Sequence, residues 1–193
     1  MKPVHRVTGR VAVLDRTDVD TDQIIPKQFL KRIERTGYGE FLFFDWRKDA
    51  AFELNRPEYA GAAILVTGRN FGCGSSREHA AWALQDYGFE VVIAPSFSDI
   101  FTSNCAQIGL LVITLPAEEV RELMGSSELT VDLEAQTISD PAGRTVSFDF
   151  DPFLRHRLLN GLDDIALTLE HEPAITAFEA GRLGGVDTTA LPA

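Results

Sequence analysis

Apolar positions fall along this chain in two rhythms. Three short runs are nearly continuous: "AAILVTG" from Ala62, "EVVIA" from Glu90 and "LLVITL" from Leu110. Uninterrupted apolar stretches of that length predict strands buried on both faces. A valine-rich stretch from Arg6 to Leu14 predicts a further strand. Between the runs the period changes to that of a helix. In "REHAAWALQDYG", Ala80, Ala81, Leu84 and Tyr87 share one face and Gly88 supplies a stop. "SFSDIFTSNCAQIG" repeats the pattern, with Gly109 behind it. Strand–helix–strand–helix–strand predicts a parallel or mixed sheet with right-handed crossovers.

The second half reads differently. "AEEVRELM" after Pro116 predicts a short helix ending at Gly125, and "LTVDLEAQTISDPAGRTVSFDF" predicts strands that turn at Asp140-Pro141-Ala142-Gly143. Asp151 is placed to N-cap "PFLRHRLLN", with Pro152 at the first helical position and Gly161 just past the end. "DDIALTLEH" and "PAITAFEA" predict two more helices, and residues 181–193 read as a loose tail. The expectation is one α/β domain over residues 1–180 with a helical C-terminal appendage. Two segments interrupt it. "DRTDVDTDQIIPKQFL" predicts an acidic loop, its aspartates satisfying turn backbone. "YGEFLFFDW" is an aromatic cluster expected in the core rather than on a partner surface.

Charge and cysteine usage narrow the function. A net charge of −11 over 193 residues argues against nucleic-acid binding. No apolar run approaches the roughly 20 residues of a membrane helix, and Met1 to Arg6 leads into no signal-peptide core. Two cysteines, Cys73 and Cys105, form no disulfide framework and suit a reducing, cytoplasmic setting. They are too few for an iron–sulfur cluster, and His5, His79, His156 and His171 lack zinc-site spacing. Against the acidic whole, Lys27, Lys31, Arg32 and Arg35 stand with only Glu34 between them. Composition alone reads this as a solvated charged loop.

The densest chemistry lies in "NFGCGSSREHA", Asn70 to Ala80, between a buried strand and a helix. Gly72 and Gly74 allow a tight turn. Ser75 and Glu78 fit S-x-x-E, a capping box. Such a turn puts free N–H groups and the positive end of a helix dipole at the carboxyl edge of the sheet, where anions bind in open α/β folds. Arg77 offers a planar fork for a carboxylate, and one serine beyond the cap, Ser76, is free to bind. A Cys73–His79 nucleophile is the weaker alternative, since the two are six positions apart.

These residues carry a resemblance. "NFGCGSSREHA", "DVDTDQIIP", "PKQFLKRIERTGYGEFLFFDWR", "APSFSDIF" and "NGLDDIALTLEHE" are similar to the small-subunit family of bacterial 3-isopropylmalate dehydratases, in the aconitase superfamily. The similarity runs from about Val7 to Gly181. It implies a swivelling β/β/α domain: a mixed, closed, barrel-like sheet flanked by helices. It implies that Ser75 is the base that moves a proton at carbon, that Ser76 and Arg77 bind a substrate carboxylate, and that Asp22 of "DTDQ" joins the site as a catalytic residue. It implies that "FLKRIERTG" selects the substrate side chain, which assigns Phe29, Leu30, Lys31, Arg32 and Thr36 to substrate binding. It implies a lyase of leucine biosynthesis, a hydroxy-dicarboxylate substrate, and a large-subunit partner in a heterodimer or higher assembly. No cofactor is expected on this chain; the 4Fe-4S cluster is expected on that partner.

Three rivals remain at this level. A related hydro-lyase, homoaconitase-like or methylmalate-like, shares the motif and differs only in the recognition segment. A non-catalytic binding module would carry the fold without the serine chemistry. A stand-alone hydrolase would need a His and an acid placed against Ser75 or Cys73.

Overall fold

The computed structural model describes residues 1–31, 34 and 36–181. Seven strands form one sheet in the order β4-β3-β2-β1-β5-β6-β7. Strand β1 (Arg6–Leu14) sits at the centre of that order. On one side it pairs in parallel with β2 (Ile64–Thr67), in a register that sets Val11 opposite Ile64 and Leu14 opposite Thr67. β3 (Val91–Ala94) and β4 (Leu111–Thr114) continue the parallel half. On the other side β1 pairs antiparallel with β5 (Glu128–Asp132), Val7 opposite Val131; β6 (Thr137–Ser139) and β7 (Thr145–Ser147) complete that half.

Side-chain alternation divides the interior in two. On one face Val7 and Val11 of β1, Ile64 and Val66 of β2, Val91 and Ile93 of β3, and Leu111 and Ile113 of β4 join Leu129, Val131, Ile138 and Val146 of the antiparallel strands in one apolar cluster. All seven strands therefore fill a common interior, which curls the mixed sheet into a half barrel. Helix α4 (Ala117–Leu123) adds Val120 and Leu123 to it, and α5 (Pro152–Asn160) adds Leu158.

The opposite face of the parallel half carries Ala12, Leu14, Leu65, Val92, Ala94 and Val112. It is covered by α2 (Glu78–Tyr87), α3 (Asp99–Ile108) and the aromatic segment, whose Tyr38, Leu42 and Phe43 are fully buried. Trp46 stacks on Phe43 at 5.5 Å between ring centres, so the cluster is core, as its composition predicts. Gly88, Gly109 and Gly161 each take the left-handed conformation that ends a helix.

The appendage follows the predicted order: α5, then α6 (Asp164–Leu169) and α7 (Glu172–Gly181). Asp151 caps α5 by accepting from the Leu154 N–H at 2.9 Å. The rest of the expected tail, residues 182–193, lies outside the described residues. No helix among the described residues is long and apolar enough to cross a membrane.

Candidate active site

Where β1 and β2 leave the sheet at their carboxyl ends, their loops stay together. The Asp18 N–H donates to the Arg69 carbonyl at 2.9 Å, the Gly72 N–H to the Val19 carbonyl at 2.8 Å, and the Thr21 N–H to the Cys73 carbonyl at 2.9 Å. These bonds extend the parallel pairing of the two strands past their ends. The buried Thr21 hydroxyl then donates to the Ser75 carbonyl at 2.7 Å. A third loop joins on the far side: the Asn70 N–H donates to Ser96 Oγ at 2.8 Å, and Ser98 Oγ donates to the Gly72 carbonyl at 2.6 Å. Gly72 is required here. Its φ is +73°, and a Cβ would sit 2.2 Å from Cγ of Phe101.

The two loops differ from their expected local form in opposite ways. The capping box expected on Ser75 and Glu78 does not form. Helix α2 begins at Glu78, its N-cap residue is Arg77 in extended conformation, and no side chain caps it. The reason is tertiary: the glycine loop is hydrogen-bonded to the acidic loop as far as Ser75, which keeps residues 74–77 out of the helix. A capping box forms instead in the segment expected to be plain loop. Asp20 accepts from the Gln23 N–H at 2.8 Å and Gln23 Oε1 accepts from the Asp20 N–H at 2.9 Å, which starts the four-residue helix α1 (Thr21–Ile24).

This arrangement brings together the residues singled out in the two loops. Ser75 and Ser76 are exposed on the glycine loop, while the Arg77 side chain is only 13% exposed. Both terminal nitrogens of Arg77 donate to the two carboxylate oxygens of Asp22, the second at 2.8 Å. Asp22 itself stays half exposed on α1.

The segment expected to recognise substrate follows α1 in sequence and is pinned at both ends. Phe29 stacks on Phe41 at 4.0 Å and meets Phe44 edge-on at 4.9 Å. Leu30 is half-buried against the same core, whereas Lys31 and Thr36 are exposed. Arg32 lies outside the described residues. At the far end the Tyr38 N–H donates to Asp86 at 2.9 Å, and the Tyr38 ring meets His79 of α2 edge-on at 5.2 Å. Phe29, which the resemblance assigns to substrate binding, is half-buried, with one side of its ring engaged in this packing.

Neither cysteine is set up as a nucleophile. Burial pushes the Cys73 thiol up, and the nearby Asp20 and Asp18 carboxylates push it the same way. Cys105 is sealed in the core and raised well above its usual value by burial. His79 packs between Tyr38 and Trp82 as scaffold. Two further residues escaped the sequence reading: Asp18 and Asn70, joined by a hydrogen bond of 2.8 Å, each at positive φ. The signal was an Asp and an Asn, the residues that best tolerate that conformation, one in each loop.

Among the described residues no group of three or more His, Cys, Asp or Glu is placed to hold a metal ion. The donor set of this chain does not fit an iron–sulfur cluster, with two cysteines of which one is core.

Comparison with known proteins agrees with this architecture. Residues 1–118 match the Aconitase C-terminal domain family, residues 124–152 match LeuD_N, and residues 164–184 match the family of the C-terminal domain of 3-isopropylmalate dehydratase small subunits. The chain is 58% identical to the 3-isopropylmalate dehydratase small subunit of Bacillus licheniformis, over 94% of this chain and 97% of that one. It is 60% identical to the small subunit of Rhodopirellula baltica, over 93% and 97%. The crystal structure of 3-isopropylmalate dehydratase from Methanocaldococcus jannaschii superposes with a TM-score of 0.67 at 27% identity, covering 90% of this chain and 99% of that one. A chain so alike in sequence over nearly its whole length, and alike in fold, belongs to the family of 3-isopropylmalate dehydratase small subunits.

Proposed function

We propose that this chain is the small-subunit half of a hydro-lyase of leucine biosynthesis that interconverts 2-isopropylmalate and 3-isopropylmalate through 2-isopropylmaleate. The observation that carries the reading is the guanidinium of Arg77, already closed on a carboxylate beside two exposed serines. A fork that holds the Asp22 carboxylate through two parallel bonds has the geometry to hold a substrate carboxylate.

In this reading Ser75 removes the proton from the carbon next to a carboxylate and later returns it. Negative charge then spreads onto that carboxylate, and Arg77 with Ser76 holds it more tightly than in the ground state. A free serine hydroxyl is a very weak acid. The cation of Arg77 and the N-terminus of the ten-residue helix α2 are the features here that favour its alkoxide. Asp22 orients the fork of Arg77. Leu30, Lys31, Arg32 and Thr36 present the recognition surface to the substrate side chain, and Phe29 anchors it. The hydroxyl is a poor leaving group and calls for a Lewis acid; a 4Fe-4S cluster on a large-subunit partner supplies it in this reading. The exposure of Ser75 and Ser76 suits a site that a partner completes. The division is then a swivel domain over residues 1–180 and a short tail, working in a reducing cytoplasm.

The test is co-purification with a 3-isopropylmalate dehydratase large subunit from the same organism, then conversion of 2-isopropylmalate to its alkene followed in the ultraviolet. The isolated chain is expected to be colourless and inert and the complex active. Turnover by the chain alone, or none by an intact complex, would overturn the reading.

A further inference from the structure

Asp18 and Asn70 face each other at the point where the acidic loop and the glycine loop leave the sheet. Both are non-glycine residues in the left-handed region, with φ of +57° and +58°. The Asn70 side-chain amide donates to Asp18 Oδ1 at 2.8 Å, and the Asp18 N–H donates to the carbonyl of Arg69, the residue before Asn70. The Asn70 N–H is bound to Ser96 Oγ, so the clasp is also fixed to the third loop. The Arg69 guanidinium lies 3.6 Å from the second oxygen of Asp18. Every rung that follows is counted from this clasp: Gly72 on Val19, Thr21 on Cys73, and the Thr21 hydroxyl on Ser75. Asp22 and Arg77 come next on their respective loops.

We infer that Asp18 and Asn70 are positioning residues of the site: their side-chain bond, with a left-handed turn on each strand, fixes the register in which the two loops pair and so delivers Asp22 to Arg77 and holds the Ser75 backbone. Two backbones entering left-handed turns opposite one another have several ways to pair, and a backbone ladder alone does not choose among them. Left-handed conformation outside glycine is also costly and persists where surrounding contacts over-determine it. The bond from Asn70 holds the Asp18 carboxyl below the usual carboxylate range, which keeps the acceptor ionised. Neither residue reaches toward the substrate in this assignment; they act through the ladder.

The inference rests on the reading of Arg77 as the carboxylate receptor, and the test separates the two. The complex with the large subunit is compared for wild type, Asp18→Asn, Asn70→Asp, the double exchange and Arg77→Lys. Asp18→Asn keeps an acceptor for the Asn70 amide and is expected within about threefold of wild type in kcat/KM. Asn70→Asp sets two carboxylates against each other and is expected to lower kcat/KM at least tenfold, with the thermal midpoint nearly unchanged. The double exchange restores one amide and one carboxylate with the roles swapped, and is expected to recover most of that loss. Amide hydrogen exchange at Thr21 should quicken in Asn70→Asp and slow again in the double variant. An unaffected Asn70→Asp, or a double variant no better than the single, overturns the inference while a crippled Arg77→Lys leaves the receptor reading standing. An unaffected Arg77→Lys overturns both.

Discussion

Arg77 and Asp22, 55 positions apart, meet fork to fork, with the guanidinium mostly buried and the carboxylate half in solvent. That asymmetry matters. The cation is the fixed member and the anion is the one that can be shared or displaced. Arg77→Lys keeps the charge and loses the paired geometry. Charge-assisted bonds contribute on the order of 1.5–3 kcal/mol each, so losing one raises KM by roughly 10- to 100-fold. Asp22 is half exposed, but its loss leaves the mostly buried Arg77 guanidinium without its partner, so Asp22→Ala should lower stability by roughly 1–3 kcal/mol. Steady-state kinetics of the complex and urea unfolding of the chain check the two halves. An unchanged KM in Arg77→Lys would remove the arginine from the site.

Ser75 is exposed and takes no part in capping α2. Its hydroxyl is therefore free of a structural duty, and Ser75→Ala should fold with a normal thermal midpoint. Loss of an acid–base group costs about 10²- to 10⁴-fold, so turnover of the reconstituted complex should fall at least that far, with partner binding intact. Near-normal turnover would refute the assignment of the base.

Phe29 links the recognition segment to the core through its stack on Phe41 and its edge contact with Phe44. Phe29→Ala should cost roughly 1–2 kcal/mol, less than a fully buried phenylalanine. For a chain of this size that lowers the melting temperature by about 2–8 °C. KM should rise for every diacid tested while the preference among them holds, because an anchor is lost rather than a selecting surface. Leu30→Ala or Thr36→Ala should instead alter the ratio of kcat/KM between isopropyl- and methyl-substituted substrates. A changed preference in Phe29→Ala would return that ring to the recognition surface.

The strands β2, β3 and β4 are legible in the sequence because each is a short continuous apolar run, and the helices α2 and α3 because each is a periodic pattern closed by a glycine. The sheet order is less so, since β1 pairs with both β2 and β5 and only the fold shows it. The serine–arginine motif stands out in the sequence as a candidate site, but its geometry does not. S-x-x-E describes a cap equally well, and pairing with the acidic loop decides against it. The converse holds at Asp20 and Gln23, whose capping box starts a helix of four residues, too short to show a period. The clasp of Asp18 with Asn70 joins residues 52 positions apart and leaves no mark that sequence spacing records.

His79 offers a pH-dependent reading of how the recognition segment is held. Its ring packs against Tyr38 and Trp82, and burial lowers its pKa from the ordinary 6.5, with Glu78 opposing and Arg77 assisting. The folded chain therefore binds a proton at His79 less readily than the unfolded chain. Stability rises with pH wherever the unfolded state holds more protons, so this contribution is complete above pH 6.5 and is lost as pH falls from there through the folded value. The carboxyl of Glu53, lowered by its bonds with Arg16 against the cost of burial, titrates in a more acidic range and does not mask the effect. A charged imidazole would also loosen the Tyr38 end of the segment that carries Lys31 and Thr36. Below pH 6.5 the urea midpoint should decline and KM should rise together. His79→Phe keeps an aromatic ring against Tyr38 and removes the titration, so both trends should flatten. If the variant retains the full pH dependence of KM, the titrating group is not His79.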